Sequence, residues 1–418
     1  KAKEFSVSIE RRNFIKVLSL SPIALSVTGY KKAVADFVSY SPEKAFGFSN
    51  NKVPMNAANL CPMPISISKT IADFNEDLDI DMSGMNRSRI GSMKEEARAG
   101  IAKQLHVKKE EIAITRNTSE SNNIIAQGLS LKPDDEILLW DQNHPSNDVS
   151  WAVRADRSKC KVNYFDIPLS TDNYDNIINI IENQITKKTR VVSFTHISNI
   201  TGFKLPAAEI CQSIKEKYNG IHIHVDGAQT WGVEDVDLAA MKCDSFSGSS
   251  HKWYMGPRET GLLFVKESAV ENIWPSIVSI GWGSKRKTSA AGAKKFEAYG
   301  QRHDAALASL AETVKFHNEI TPKKIQKYAY KISEYIRESL IDIDIDFVSS
   351  NHHDFRSNVI ILKAAQENRK KILENILNDA GVILAGTGGL RLSPHIYNTI
   401  DHADRVVRAI NKSRKLLS

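Results

Sequence analysis

Beyond about residue 90, helix-like and strand-like hydrophobic patterns take turns along the chain. "SMKEEARAGIAKQL" predicts a helix, "EEIAIT" a strand, and "SESNNIIAQGL" a helix with Ile125 and Leu129 four apart on one face. The short β-branched or apolar runs "EILLW", "KVNYFDI", "RVVSFTHI", "IHIHVD", "CDSFS" and "GLLFV" follow, separated by helix-like pieces such as "PAAEICQSIKEKY". Such alternation implies βαβ units, hence an α/β fold with a mainly parallel sheet covered on both faces. After about residue 300 long amphipathic helices take over ("DAALASLAETVKFHNEI", "KKIQKYAYKISEYIRESL"), with the strands "FRSNVIIL" and "GLRLS" among them. The pattern predicts a large domain over 66–300, a smaller α+β domain over 301–418, and an N-terminal segment over 36–65.

The beginning of the chain has a different texture. "SIERRNFIK" (8–16) holds paired arginines, a modest apolar stretch runs from Val17 to Val27, and Lys31, Lys32 and "AVA" precede Asp36. Basic region, short apolar region and small-residue cleavage site, in that order, resemble a twin-arginine export signal over 1–35 with cleavage after Ala35. The expectation is a periplasmic protein delivered by the twin-arginine translocase, with a cytoplasmic protein as the alternative. The apolar stretch is too short and too broken by serine and proline to serve as a membrane anchor. The leader also explains the charge. Of the formal net +7, seven basic and two acidic residues lie in 1–35, leaving 49 basic against 47 acidic residues in the body. A body so nearly neutral, with no basic stripe, speaks against a nucleic-acid partner. Four widely spaced cysteines support neither a metal site nor a disulfide framework.

In parallel sheets ligands gather beyond the carboxyl ends of the strands. After "EEIAIT" comes "RNTSES", after "EILLW" comes "DQNHPSN", after "VVSFTHI" comes "SNITG", "IHIHV" ends in "DGAQ", and "CDSFSG" leads into "SSHKW". Polar residues thus fall at the same end of several strands, which predicts one site. His222, His224 and Asp226 alternate on one strand face and would make a metal trio, but a lysine and phosphate-type loops do not belong to a metal centre.

Asp226 and Lys252, 26 positions apart (252 − 226), sit in "VDGAQ" and "SSHKWYMGP". With the other segments, in this order, they resemble the class V aminotransferases, fold-type I pyridoxal 5'-phosphate enzymes that include cysteine desulfurases and isopenicillin N epimerase. The resemblance implies that Lys252 carries the cofactor and that Asp226 faces its pyridine nitrogen. It assigns Gln229 and Asn199 to its phenolic oxygen, and Thr118, Ser119, Ser249 and His251 to its phosphate. The catalytic set it implies is Lys252, Asp226 and His144, the last stacked on the ring. It implies a homodimer in which Gln301, in "YGQRHD", reaches the phosphate bound by the partner subunit. Arg391, in "LRLSPHIYNT", is the implied grip on the carboxylate of an amino-group substrate, since a guanidinium fork binds a carboxylate in two places.

The reaction is less determined than the cofactor. Desulfurases of this family use a cysteine shortly before the C-terminal arginine, and this chain reads "GVILAGTGGLRLS" there. "HKWYMGP" is similar to the isopenicillin N epimerase branch, which includes exported enzymes, one of them tailoring an amino-acid side group of the siderophore pyoverdine. The expected activity is transamination or epimerisation of an amino acid or amino-acid-containing metabolite. The alternatives are a lyase that needs no thiol, and a non-catalytic protein that keeps the cofactor.

Overall fold

The structure, a computed structural model, describes residues 42–279 and 291–417. The leader expected over 1–35 lies outside them. Among the described residues a single helical turn (Pro42–Ala45) precedes β1 (Val53–Pro54), α1 (Ile65–Ile80) and α2 (Gly84–Gln104). A seven-stranded sheet follows, built from β2 (Ile112–Thr115), β3 (Glu136–Trp140), β4 (Lys161–Phe165), β5 (Thr189–Thr195), β6 (His222–Asp226), β7 (Ser245–Ser249) and β8 (Gly261–Val265). Its order is β2-β8-β7-β6-β5-β3-β4. Only β8 runs antiparallel, to both of its neighbours, so β2 shares the direction of the other five.

Side chains that alternate along each strand go to opposite faces, and here both faces are apolar cores. Ile112, Ile114, Leu138 and Trp140 join one core with Val192, Phe194 and helix residues Ile101, Ile210 and Leu310. Ala113, Ile137 and Leu139 join the other, with Ile124, Ile125 and Trp151. Burying each such branched or aromatic side chain contributes about 1.5–3 kcal/mol, which is why the strands read as near-continuous apolar runs.

Between strands lie α3 (Thr118–Gly128), α4 (Pro145–Ser158), α5 (Tyr174–Glu182) and α6 (Ala207–Lys217). The C-terminal part holds α7 (Asp304–Ile320) and α8 (Pro322–Ile341), then β9 (Ile360–Leu362), α9 (Arg369–Ala380), β10 (Val382–Ile383), β11 (Leu390–Leu392) and α10 (Ile400–Lys412). Residues 45–418 make one compact unit. α7 packs on α2 and on α1, a helix that the hydrophobic pattern does not predict. β1 pairs in parallel with β10, and β11 pairs antiparallel with β9. Ala58 N donates to Ser393 Oγ at 3.2 Å, across 335 positions of sequence. All four cysteines are free thiols, with Cys61, Cys211 and Cys243 buried. No helix among the described residues is long and apolar enough to cross a membrane.

Candidate active site

The carboxyl ends of β2, β3, β5, β6 and β7 meet at one end of the sheet, and each delivers a polar side chain there. β6 ends on Asp226, whose side chain is fully buried. Its Oδ1 accepts from Ala228 N at 2.9 Å and its Oδ2 from the Asn122 amide at 2.9 Å. The residue between, Gly227, has no room for a side chain, because a Cβ there would run into the ring of Phe246.

β7 leads into the loop that carries Lys252. Ser250 ties this loop down, its Oγ donating to the Pro257 carbonyl at 2.6 Å and its N–H to the Thr260 carbonyl at 3.1 Å. Two distant histidines hold the carbonyls that follow the lysine. His395 Nε2 donates to Trp253 O at 2.7 Å and His317 Nε2 to Tyr254 O at 2.8 Å. Burial keeps both imidazoles neutral, His395 near 3 and His317 near 4. The Tyr254 ring stacks between Trp231 and His317, with centroids 3.9 and 4.0 Å away. Gly232, at φ 103°, lets its chain pass directly against the Trp253–Tyr254 backbone.

No hydrogen bond from Lys252 Nζ is made among the described residues. Burial pushes the ammonium below its usual value, Asp226 opposes this, and Arg391 adds to it. The amine therefore deprotonates more readily than a solvated lysine, as a nucleophile or proton carrier requires. His144 caps α4, its Nδ1 accepting from Ser146 N at 3.1 Å. Burial lowers its pKa, Lys252 lowers it further, Asp226 opposes and Arg391 adds to the lowering. Burial first, then Lys252 and Arg258, push His251 down to about 4.

At the start of α3, Asn117 caps the helix by accepting from Glu120 N at 3.0 Å. Ser249 Oγ meets both the Thr118 amide, at 2.8 Å, and the Thr118 hydroxyl, at 2.7 Å. Two hydroxyls at the positive end of an 11-residue helix suit an anion. Gln229 is oriented by Trp253, whose Nε1 donates to its Oε1 at 2.7 Å, while its amide nitrogen donates to Ala58 O at 3.0 Å.

Arg391 is buried on β11 without a carboxylate among the described residues. Nη1 donates to the Asn199 carbonyl at 3.2 Å and Nη2 to Asn56 Oδ1 at 3.3 Å, while Nε has no partner among the described residues. Burial alone lowers its pKa to about 10. A buried cation with an idle N–H is what a carboxylate ligand would complete.

Lys252, Asp226, His144, Thr118, Ser249, His251, Gln229, Asn199 and Arg391 thus belong to one region. Ser119 and Gln301 stand apart, both exposed. They line neighbouring surface cavities that share Arg116, Glu259 and Ile277. Gln301 accepts from Arg87 at 3.0 Å and donates to Asp304 at 3.1 Å, so its amide is held within its own subunit. Asn122, His317 and His395 are missed by sequence reasoning. Asn122 alone left a signal, four residues after Thr118 and on the same helix face.

The donor set fits pyridoxal 5'-phosphate. It offers an amine without a partner, a buried carboxylate that only accepts, a hydroxyl-lined helix start for a phosphate and, beside them, an idle guanidinium N–H. Comparison with known proteins points the same way. The chain is 25% identical over 376 residues to isopenicillin N epimerase of Streptomyces clavuligerus, covering 86% of this chain and 94% of that protein. It is 29% identical over 333 residues to a Halobacterium salinarum protein assigned as a cysteine desulfurase, covering 74% and 78%. Its fold matches a lysine-to-alanine variant of C-DES with glycine covalently linked to the PLP cofactor. The TM-score is 0.81 at 21% identity, over 89% of this chain and 99% of that one. The model of the aminotransferase class-V family matches residues 79–409, so the chain belongs to that family.

Proposed function

We propose that this is a pyridoxal 5'-phosphate enzyme that moves a proton at the α-carbon of an amino acid or amino-acid-containing metabolite, giving transamination or epimerisation. The observation that carries the reading is Arg391, a buried guanidinium with no carboxylate partner among the described residues, whose charge acts on Lys252. When bound, the cofactor supplies an electron sink for the carbanion left at the α-carbon. Lys252 would hold it covalently, and Asp226 would face its ring nitrogen. Thr118, Ser249 and the first amides of α3 would take its phosphate, and His144 would cover the ring. Arg391 grips the substrate carboxylate and so fixes which α-substituent faces Lys252. Lys252 Nζ, released when the substrate amine displaces it, would take up the α-proton and return it. Carriage out of the cytoplasm by the twin-arginine route belongs to the proposal, supported by the order of features in the leader, and so does a homodimer in which Gln301 serves the neighbouring site.

Desulfuration is disfavoured because the segment before Arg391 has no thiol. Cys61 lies near the Lys252 loop, its N–H donating to His251 O at 2.9 Å. Burial first raises its thiol to about 12, with a hydrogen bond to Tyr397 opposing, which makes it no nucleophile.

The test incubates cofactor-loaded protein with a panel of amino acids and amino-acid-bearing metabolites in heavy water. With a keto acid supplied as amino acceptor, conversion of the amino acid to its own keto acid, with α-deuterium in the recovered amino acid, means transamination; α-deuterium with inversion means epimerisation; release of free ammonia or sulfide means a lyase. Borohydride should leave a pyridoxyl tag on the peptide holding Lys252 and none in Lys252→Ala. Absence of α-exchange with every substrate, or an absorbance that no amino donor changes, sinks the catalytic reading in favour of a protein that only holds the cofactor.

A further inference from the structure

Asp226 terminates a buried chain of hydrogen bonds in which every proton has an assigned direction. A carboxylate anion only accepts, so the Asn122 amide must present Nδ2 to Asp226 Oδ2 and turn Oδ1 the other way. There Oδ1 accepts from Ser247 Oγ at 2.6 Å and from His224 Nε2 at 3.0 Å. Burial holds His224 neutral, near 3. With its one proton on Nε2, its Nδ1 must accept, and the partner is the Ser245 hydroxyl at 2.8 Å. Ser245 Oγ stands 2.9 Å from Nε2 of His222. His222 lines a cavity of about 380 Å³, with Arg190, Lys215 and Asp244, on the side of the sheet where β6 and β7 begin. Asn122, His224, Ser245 and Ser247 are fully buried.

The chain solves an orientation problem. Asp226 alone already disfavours a flipped Asn122, which would set oxygen against oxygen. Two donors converging on Oδ1 add to that penalty, because the flip would also set Nδ2 against His224 Nε2–H and Ser247 Oγ–H. We propose that Asn122 is a positioning residue that keeps the Asp226 carboxylate aimed at the ring nitrogen of the cofactor, with His224, Ser245 and Ser247 fixing the direction of its amide. The proposal deepens the cofactor assignment and rests on it.

The test compares the affinity of apoprotein for pyridoxal 5'-phosphate with that for its carbocyclic analogue, in which a ring C–H replaces the pyridine nitrogen. Both aldehydes can react with Lys252 and both carry the phosphate, so they differ only in what Asp226 faces. Loss of a hydrogen bond to a charged group should make Asn122→Ala bind the natural cofactor about tenfold more weakly or worse, and the analogue nearly as well as wild type does. Asn122→Asp keeps the shape but sets two carboxylates together, and should lose at least as much with the same selectivity. Should either protein fail to fold, Ser245→Ala removes one hydroxyl two links away and should show the same preference at about threefold. Equal weakening for both aldehydes, or an unchanged affinity for the natural one, overturns the positioning role. Wild-type protein that bound neither would overturn the cofactor assignment itself, a failure visible before any variant is made.

Discussion

Arg391→Met should make the protein more stable while weakening its hold on carboxylates. The guanidinium is buried, and burial alone brings its pKa from 12.5 to about 10. A folded-state value below the unfolded one means that the charged form is penalised by folding. The penalty is fully present below pH 10 and is relieved as the pH rises through it. A difference of about 2.5 units corresponds to about 3 kcal/mol at neutral pH. Against this, methionine forfeits the hydrogen bonds to Asn199 O and Asn56 Oδ1, each about 1 kcal/mol. The net expectation is a gain of about 1 kcal/mol in urea unfolding at pH 7. Activity should move the other way. Two charge-assisted hydrogen bonds to a carboxylate are together worth about 3 kcal/mol or more, so the variant should lose about a hundredfold in kcat/KM for an amino acid. For the matching amine, which has no carboxylate, wild type and variant should be alike. A variant that is destabilised by 2 kcal/mol or so and still prefers the amino acid would show Arg391 to be a structural residue.

Glu297 supplies a second test. Burial would raise its carboxyl, but Arg98 and Lys94 bring it down to about 2 from an ordinary 4.5. It also accepts from the Ile114 amide in β2. A depressed carboxyl contributes stability that is complete above about pH 4.5 and lost as pH falls through 2, so Glu297→Gln should cost about 3 kcal/mol at pH 7 and progressively less below pH 4.5. Urea midpoints at pH 7 and pH 3 measure it, and an equal cost at both would exclude the ion pair as the cause. For the leader, Arg11→Lys with Arg12→Lys should retain the protein in the cytoplasm when cells are fractionated, and undiminished export would end the twin-arginine reading.

What the sequence revealed and what it hid divide along physical lines. Strands such as "RVVSFTHI" and "IHIHVD" are readable because both faces of a parallel sheet are apolar, and Asp226 and Lys252 because a cofactor site imposes residue types at strand ends. α7 falls on its predicted span because its apolar stripe is broad. α1 escaped because its side chains past Ile67 are at most half-buried and four acids occupy its second half, so its packing on α7 leaves little periodic trace. The reversed direction of β8 is invisible, since "GLLFV" reads alike both ways. Asn122 shares a helix face with Thr118 in "SESNNIIAQGL", but its partner Asp226 lies 104 positions away. His317 and His395 hold the lysine loop from elements met in space and not in sequence.

The pairing of β1 with β10 has a bearing on how the molecule comes into being. On a ribosome Val53 emerges long before Val382, and until then Met55 and Ala57, both wholly enclosed in the finished molecule, have no walls around them. Asn56, which steadies Arg391, sits in that same early stretch. The proposed pocket for a carboxylate is therefore completed late, from segments more than 300 residues apart, and a nascent chain halted before residue 382 would have its central sheet but not that pocket.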